Sequence, residues 1–158
     1  MIYCDANVLI PTVVNVVEER RTGLVERLLR THSGFYISAL AEYEARKQLC
    51  ALPDVELRQA SLSAVLEAKF TLLNDWQPAI LHALKLAHRF KARLAVDSAD
   101  TLHVGWALSV GADVFASFDR TSGPRALALC VGLKVWPDPS ARDFESMARL
   151  KRSRRRSA

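Results

Sequence analysis

Carboxylates recur along the chain where an apolar run ends or where a helical pattern begins. Asp5 follows the apolar run at residues 2–4, and Asp119 follows the apolar segment DVFAS at residues 113–117. Asp100 lies in the first turn of a helical pattern over residues 98–110. Because ligand crevices in open α/β sheets form at the carboxyl ends of the strands, we expect these acids to lie at one edge of a sheet.

Two further acids follow a third predicted strand. The segment FYIS at residues 35–38 has a strand pattern, and the predicted helix after it carries Glu42 and Glu44. Two residues correspond to about 200° of helical rotation, so the two glutamates lie on opposite sides of the apolar stripe. That stripe consists of Ala41, Ala45, Leu49 and Leu52. Only one glutamate can face a shared site, and the periodicity does not decide which.

Several carboxylates within a few ångströms of one another repel unless a cation neutralises them. Hard divalent ions with oxygen ligands are the usual solution, which favours Mg²⁺, with Mn²⁺ as an alternative. The four histidines are scattered along the chain and form no zinc-ligand pattern: His32, His82, His88 and His103.

The elements between these acids alternate between strands and helices. Amphipathic or capped helical patterns cover residues 17–32, 54–73, 78–90, 98–110 and 123–132, and LKVWP at 133–137 has a strand pattern. Asp97 or Ser98 can cap the helix that carries Asp100, and Gly111 can end it. This order predicts an α/β fold, a three-layer α/β/α sandwich with a central parallel sheet.

The basic character of the chain is concentrated at its end. The 158 residues carry a net charge of +5, and six of the 22 Lys and Arg residues lie in the last ten positions. The rest of the chain therefore has 16 basic residues against 17 acidic ones. We predict one domain over residues 1–140 and a disordered basic tail over 141–158. The tail either keeps the protein soluble or binds phosphates electrostatically.

Cysteine content and hydropathy favour a cytoplasmic protein without membrane contact. The three cysteines at positions 4, 50 and 130 form no metal-ligand pattern, and we interpret them as small buried apolar residues of a reducing compartment. No leader pattern precedes Asp5, and no apolar stretch approaches the length that spans a membrane.

Four segments, in order, resemble the signature segments of PIN domains, the metal-dependent ribonuclease fold, in the single-domain form of the VapC-type toxins. They are YCDANVLI, ISALAEYEA, DTLHVGWALSVGAD and FASFDR. The resemblance extends from Met1 to about Trp136. It assigns the metal-binding and catalytic acids to Asp5, Glu44, Asp100 and Asp119, with Asn7 and Ser117 as polar support.

The chain departs from the family pattern at two places, and neither removes an acid. Ala6 stands where threonine is common, and Val104, Gly105 and Trp106 follow His103 where small alcohols or alanines are usual. The resemblance implies Mg²⁺-dependent endonucleolytic cleavage of RNA that leaves a 5′-phosphate. It also implies a homodimer and a cognate antitoxin protein that covers the acidic site.

Other functions and other roles for single residues stay open from the sequence. The same fold serves housekeeping RNA-processing nucleases, and a non-catalytic form would bind RNA or a protein partner. A phosphoacceptor receiver domain would need a lysine after a late strand, whereas Lys134 precedes its apolar strand. Asp97 suits a helix cap, Glu42 a solvated helix surface and His103 a packed core position, while Asn7 and Ser117 suit either capping or site support.

Overall fold

Five short parallel strands form one sheet at the centre of the described part of the chain. The structure is a computed structural model that describes residues 1–14, 19–90, 97–119 and 123–152. The strand order is β3-β2-β1-β4-β5, and Ile2 of β1 pairs with Phe35 of β2 on one side and Val114 of β4 on the other. The strands are β1 Ile2–Cys4, β2 Phe35–Ser38, β3 Phe70–Leu73, β4 Val114–Ala116 and β5 Lys134–Trp136.

Helices cover both faces of this sheet, which confirms the predicted three-layer α/β/α sandwich. The first four are α1 Ala6–Leu9, α2 Glu19–Thr31, α3 Ala39–Leu49 and α4 Val55–Lys69, with a short 3₁₀ helix at Ile10–Thr12. The other four are α5 Trp76–Phe90, α6 Ser98–Ser109, α7 Pro124–Cys130 and α8 Ala141–Arg152. Helices α1 to α4 pack on one face of the sheet and α5 to α8 on the other.

Alternating side chains of the central strand enter two different cores. Tyr3 belongs to the core under α5 to α8, whereas Ile2 and Cys4 belong to the core under α1 to α4. In β4, Phe115 and Ala116 divide between the cores in the same way. Both faces of these strands are thus buried, which explains why their sequences are continuous apolar runs that end in a polar residue.

The departure from the family pattern at Gly105 has a packing explanation. A Cβ atom at this position would lie 2.5 Å from the carbonyl oxygen of Ala79 and 3.3 Å from the Cβ of Ala83. The glycine therefore permits α6 to approach α5 closely, and the small residues on α5 complete the contact. This contact keeps α6, and with it Asp100, close against the rest of the fold.

Two local predictions from the sequence are wrong. Residues 70–73, expected to continue the helix over 54–73, form the edge strand β3. Helix α4 ends at Lys69, and the backbone of Phe70 is already extended. The apolar run at 70–73 is compatible with helix or strand, and pairing with β2 decides for the strand. Cys4 and Cys130 are buried as predicted, but Cys50 is exposed.

The segment after residue 140 also differs from the expected disordered tail. Residues 141–152 form α8, in which Leu150 is buried in the core under α5 to α8. Residues 153–158 lie outside the described residues. Among the described residues, no helix combines the length and the apolar character that crossing a membrane requires.

Candidate metal centre

Asp5 lies at the carboxyl end of the central strand and caps the first helix. Its Oδ1 accepts a hydrogen bond from the backbone N–H of Ala6 at 2.6 Å. Only 6% of the residue is exposed. The residue after β1 therefore places a buried carboxylate at the carboxyl end of the sheet, where α1 begins.

Asn7 and Ser117 hold the other oxygen of Asp5. The Asn7 amide donates to Asp5 Oδ2 at 2.9 Å, and the Ser117 hydroxyl donates to the same oxygen at 2.8 Å. Asn7 Oδ1 accepts from the backbone N–H of Phe118 at 2.8 Å, and Ser117 Oγ accepts from that of Asp119 at 3.1 Å. These contacts join the turn after β4 to the end of β1, so both predicted supporting residues touch the predicted acids.

Glu44 reaches the same edge from α3. Its Oε2 accepts a hydrogen bond from Nε2 of His103 at 2.8 Å, and that nitrogen also lies 3.6 Å from Asp5 Oδ1. Glu42 points elsewhere and forms an ion pair with Arg46 at 2.8 Å. The structure therefore brings Glu44, and not Glu42, to the shared site.

Asp100 lies in the first turn of α6, and its neighbour Asp97 caps that helix. Asp97 Oδ1 accepts from the backbone N–H of Asp100 at 2.8 Å, as the sequence predicts for a cap. Asp100, Asp5, Glu44 and Asp119 line one open cavity of about 300 Å³ together with His103 and Lys47. All four predicted acids thus face one space, although they come from four separate parts of the chain.

The electrostatics of this cavity favour a bound cation. Burial, together with the nearby carboxylates of Asp97, Asp119 and Asp5, raises the pKa of Asp100 to about 7. Burial also raises the pKa of Asp5, against the opposing effects of His103 and of the Ser117 hydrogen bond. Carboxylates in these positions gain stability when a cation neutralises them.

The arrangement of donor atoms fits a divalent ion. Ligand atoms of Asp5, Glu44 and His103 all lie within 4.8 Å of one another, and Asp100 and Asp119 line the same cavity. Carboxylate oxygens dominate this set, which suits Mg²⁺ or Mn²⁺ better than zinc. Nε2 of His103 contacts Glu44, so we interpret the imidazole as the group that orients this carboxylate.

Local sequence patterns give little indication of how central His103 is to the site. It is buried, as predicted for a packed histidine, but it connects the acids to the core. Its Nδ1 lies 2.8 Å from the Tyr3 hydroxyl, which lies 2.8 Å from Ser38 Oγ. Burial disfavours the charged imidazole, but the Glu44 hydrogen bond and Asp5 raise the pKa of His103. The sequence feature that indicates this role is a polar residue three positions after Asp100, on the same face of an otherwise apolar helix.

Comparisons with known proteins identify the family of this fold. Residues 2–122 match the family model described as PIN domain. No curated protein sequence matches the chain.

The last residue of the segment FASFDR, Arg120, lies outside the described residues.

Solved structures with a similar fold have low sequence identity to this chain. VapBC2 from Rickettsia felis, bound to a promoter DNA fragment, is 16% identical with a TM-score of 0.60, over 75% of this chain and 89% of that one. VapC20 from Mycobacterium tuberculosis, described as a toxin that cleaves the sarcin–ricin loop, is 13% identical with a TM-score of 0.62, over 75% and 90%. VapBC-1 from nontypeable Haemophilus influenzae is 21% identical with a TM-score of 0.58, over 75% and 87%.

Proposed function

Because the chain belongs to the PIN domain family, we propose that it is a metal-dependent endoribonuclease that acts as a toxin. The observation that carries this proposal is the meeting of Asp5, Glu44, Asp100 and Asp119 around one cavity at the carboxyl end of the sheet. RNA is the proposed substrate, and the cytoplasm is the proposed compartment.

The four acids are the groups that would hold Mg²⁺, or Mn²⁺ in its place. When bound there, such an ion would supply Lewis-acid chemistry toward a phosphodiester oxygen and toward a water molecule. Without a cation, the carboxylates of this cavity would repel the negatively charged phosphate of the substrate.

The chain contributes positioning to this chemistry. Asn7 and Ser117 fix one oxygen of Asp5, and His103 fixes one oxygen of Glu44. Side chains that are held before the substrate arrives need no rearrangement during the reaction. Lys47 lines the same cavity and supplies a positive charge near the place where a phosphate would lie.

We infer that the partner of this nuclease is a cognate antitoxin. The structural neighbours named above are described as VapBC assemblies and a VapC toxin. Their descriptions support a toxin role for this chain over that of a housekeeping nuclease with the same fold. A small antitoxin gene beside this one would support the inference, because such pairs are expressed together.

We also propose a homodimer that forms through α5. Trp76, Ile80 and Leu84 repeat at four-residue intervals on one side of this helix, and they are 39%, 42% and 60% exposed. Leu81 beside them is 52% exposed. Monomeric proteins rarely expose a contiguous apolar surface of this kind, and pairing with the same face of a second copy would bury it.

Metal dependence tests the nuclease proposal. We expect the purified protein to cleave a labelled RNA pool in Mg²⁺ or Mn²⁺ and to stop in excess chelator. Asp5→Asn should reduce cleavage at least a hundredfold while keeping the shape of the side chain. Undiminished cleavage in chelator, or full activity of Asp5→Asn, would contradict the proposal.

A further inference from the structure

A second cavity adjoins the acidic one, and Asp119 lines both. It has a volume of about 490 Å³ and lies between the start of α2, the Phe118–Asp119 turn and the start of α8. Helix α8 begins at Ala141, beyond residues 2–122 that match the PIN domain. One wall of this cavity is therefore built by a C-terminal helix outside the matched region.

A buried ion pair fixes that wall. Nε and Nη2 of Arg125 donate to the two carboxylate oxygens of Asp143, each at 3.1 Å. The backbone N–H and hydroxyl of Ser140 also donate to Asp143 Oδ2, at 2.7 and 2.8 Å. Ser140 Oγ in turn accepts from the backbone N–H of Asp143 at 3.3 Å, and this reciprocal pair caps the helix. Arg125 Nη1 donates to the carbonyl of Ser117 at 2.6 Å. Helix α8 is thus tied to the same residue that holds Asp5.

Arginines and apolar groups line this cavity together. Arg20 and Arg142 are exposed, and within the described residues neither forms an ion pair or a side-chain hydrogen bond. The Arg21 guanidinium lies 5.2 Å from the centre of the Phe118 ring. The apolar lining comes from Leu24, Phe118, Pro137 and Ala141. Three acids also line the cavity: Asp119, Asp138 and Asp143. Arg125 neutralises Asp143, and Asp119 belongs to the candidate metal centre.

We propose that this cavity binds the nucleotide next to the scissile phosphate of the RNA, an inference that rests on the proposed nuclease function. Arg20 and Arg142 contact phosphate oxygens, and the base or sugar packs against the apolar lining. Arginine suits phosphate because its guanidinium donates several hydrogen bonds in a planar arrangement, and bases pack readily on flat apolar and guanidinium surfaces. Because Asp119 is common to both cavities, an RNA strand at the metal centre continues directly into this one.

A pair of double variants tests the phosphate contacts in the full-length protein. Asp100→Asn in every protein prevents cleavage, and binding of a labelled single-stranded RNA 20-mer is measured at several salt concentrations. Arg20→Ala with Arg142→Ala should weaken binding about tenfold. It should also flatten the slope of log affinity against log salt by about 1.4, since each phosphate contact on a single strand contributes about 0.7.

The control removes the same charge from the same two helices outside the cavity. Arg30→Ala with Arg149→Ala leaves both cavity arginines in place, and we expect less than a threefold loss of affinity. Equal losses in the two double variants would overturn the inference, because the effect would then follow overall charge and not the cavity.

A third variant tests the shape of the cavity without changing its charge. In the active protein, Ala141→Trp should raise KM for RNA at least fivefold and change kcat less than twofold, with an unchanged melting temperature. An unchanged KM would overturn the inference while wild-type cleavage continued to support the nuclease function. A wild-type protein that neither bound nor cleaved RNA would instead overturn both.

Discussion

Nε2 of His103 lies 2.8 Å from Oε2 of Glu44, and this hydrogen bond joins α6 to α3 at the edge of the sheet where the acids meet. The imidazole is held from its other side by the Tyr3 hydroxyl at 2.8 Å. Glu44 is therefore oriented by a buried group, whereas Glu42 forms an ion pair with Arg46 away from the site. Two glutamates that are two residues apart have different surroundings.

This difference predicts opposite results for two similar substitutions. Glu44→Gln should reduce RNA cleavage at least a hundredfold, because it removes a negative charge from the proposed metal site. Glu42→Gln should change cleavage less than twofold and cost about 0.3–0.5 kcal/mol of stability, the usual value of such a helical ion pair. Cleavage rates with saturating Mg²⁺, together with melting temperatures, measure both effects. Wild-type activity of Glu44→Gln would show that Glu44 has no catalytic role.

The raised pKa of Asp100 predicts how the metal-free protein responds to pH. In the folded state the pKa is about 7, against an ordinary value of 3.8. Its contribution to stability is therefore complete below about pH 4 and is lost as the pH rises through 7. The raised pKa of His103 acts in the same direction. We expect the melting temperature in chelator to fall between pH 5.5 and 8.

Two variants show how much of this decrease of melting temperature with pH comes from Asp100. Asp100→Asn should flatten the decrease in chelator, whereas Glu56→Gln, which removes a charge from an exposed position, should keep the wild-type slope. Saturating Mg²⁺ should also flatten it, because the cation favours the ionised carboxylates. A melting temperature that rose with pH in chelator would contradict the assignment of the buried acids.

Local sequence patterns predict the parts of this fold that depend on nearby residues. The strand FYIS ends at Ser38, which caps α3, and Asp97 caps α6 with the expected hydrogen bond. The apolar stripe through Ala41, Ala45 and Leu49 is buried, as its spacing predicts. In these cases the signal and the contact lie within one or two helical turns of each other.

Contacts between distant residues account for the features that local sequence patterns do not predict. The strand at residues 70–73 requires pairing with β2, and no turn signal separates it from α4. The position of α8 depends on the ion pair of Asp143 with Arg125, eighteen residues earlier. The choice of Glu44 over Glu42 likewise depends on His103, 59 residues later. Periodicity carries no information about such partners.

The exposed face of α5 predicts an effect on assembly. Ile80→Glu with Leu84→Glu should convert a dimer of 17.6 kDa chains into a monomer, because two charges would be buried at the proposed interface. Leu57→Glu places a charge on α4, where the leucine is 69% exposed, and should leave the dimer intact. Analytical ultracentrifugation at several concentrations measures the mass. A wild-type protein that stayed monomeric at every concentration would contradict the homodimer.

The basic residues after α8 predict a contribution to RNA binding that is separate from catalysis. Deleting residues 153–158 removes three arginines and keeps α8, whereas a deletion from residue 149 would also remove Leu150, which is 7% exposed and part of the core. If all three arginines contact phosphates, the slope of log affinity against log salt should flatten by about 2 units. Single-turnover cleavage at saturating protein should be unchanged.

Charge-conserving substitutions distinguish electrostatic binding by the tail from a specific contact. Replacing the three arginines at positions 154–156 by lysine keeps the charge, so the salt slope should stay at its wild-type value. Filter binding of these proteins, all carrying Asp100→Asn to prevent cleavage, compares the slopes directly. Identical slopes for the full-length and deleted proteins would show that the tail does not touch RNA. Its charge would then serve solubility or contact with the proposed antitoxin.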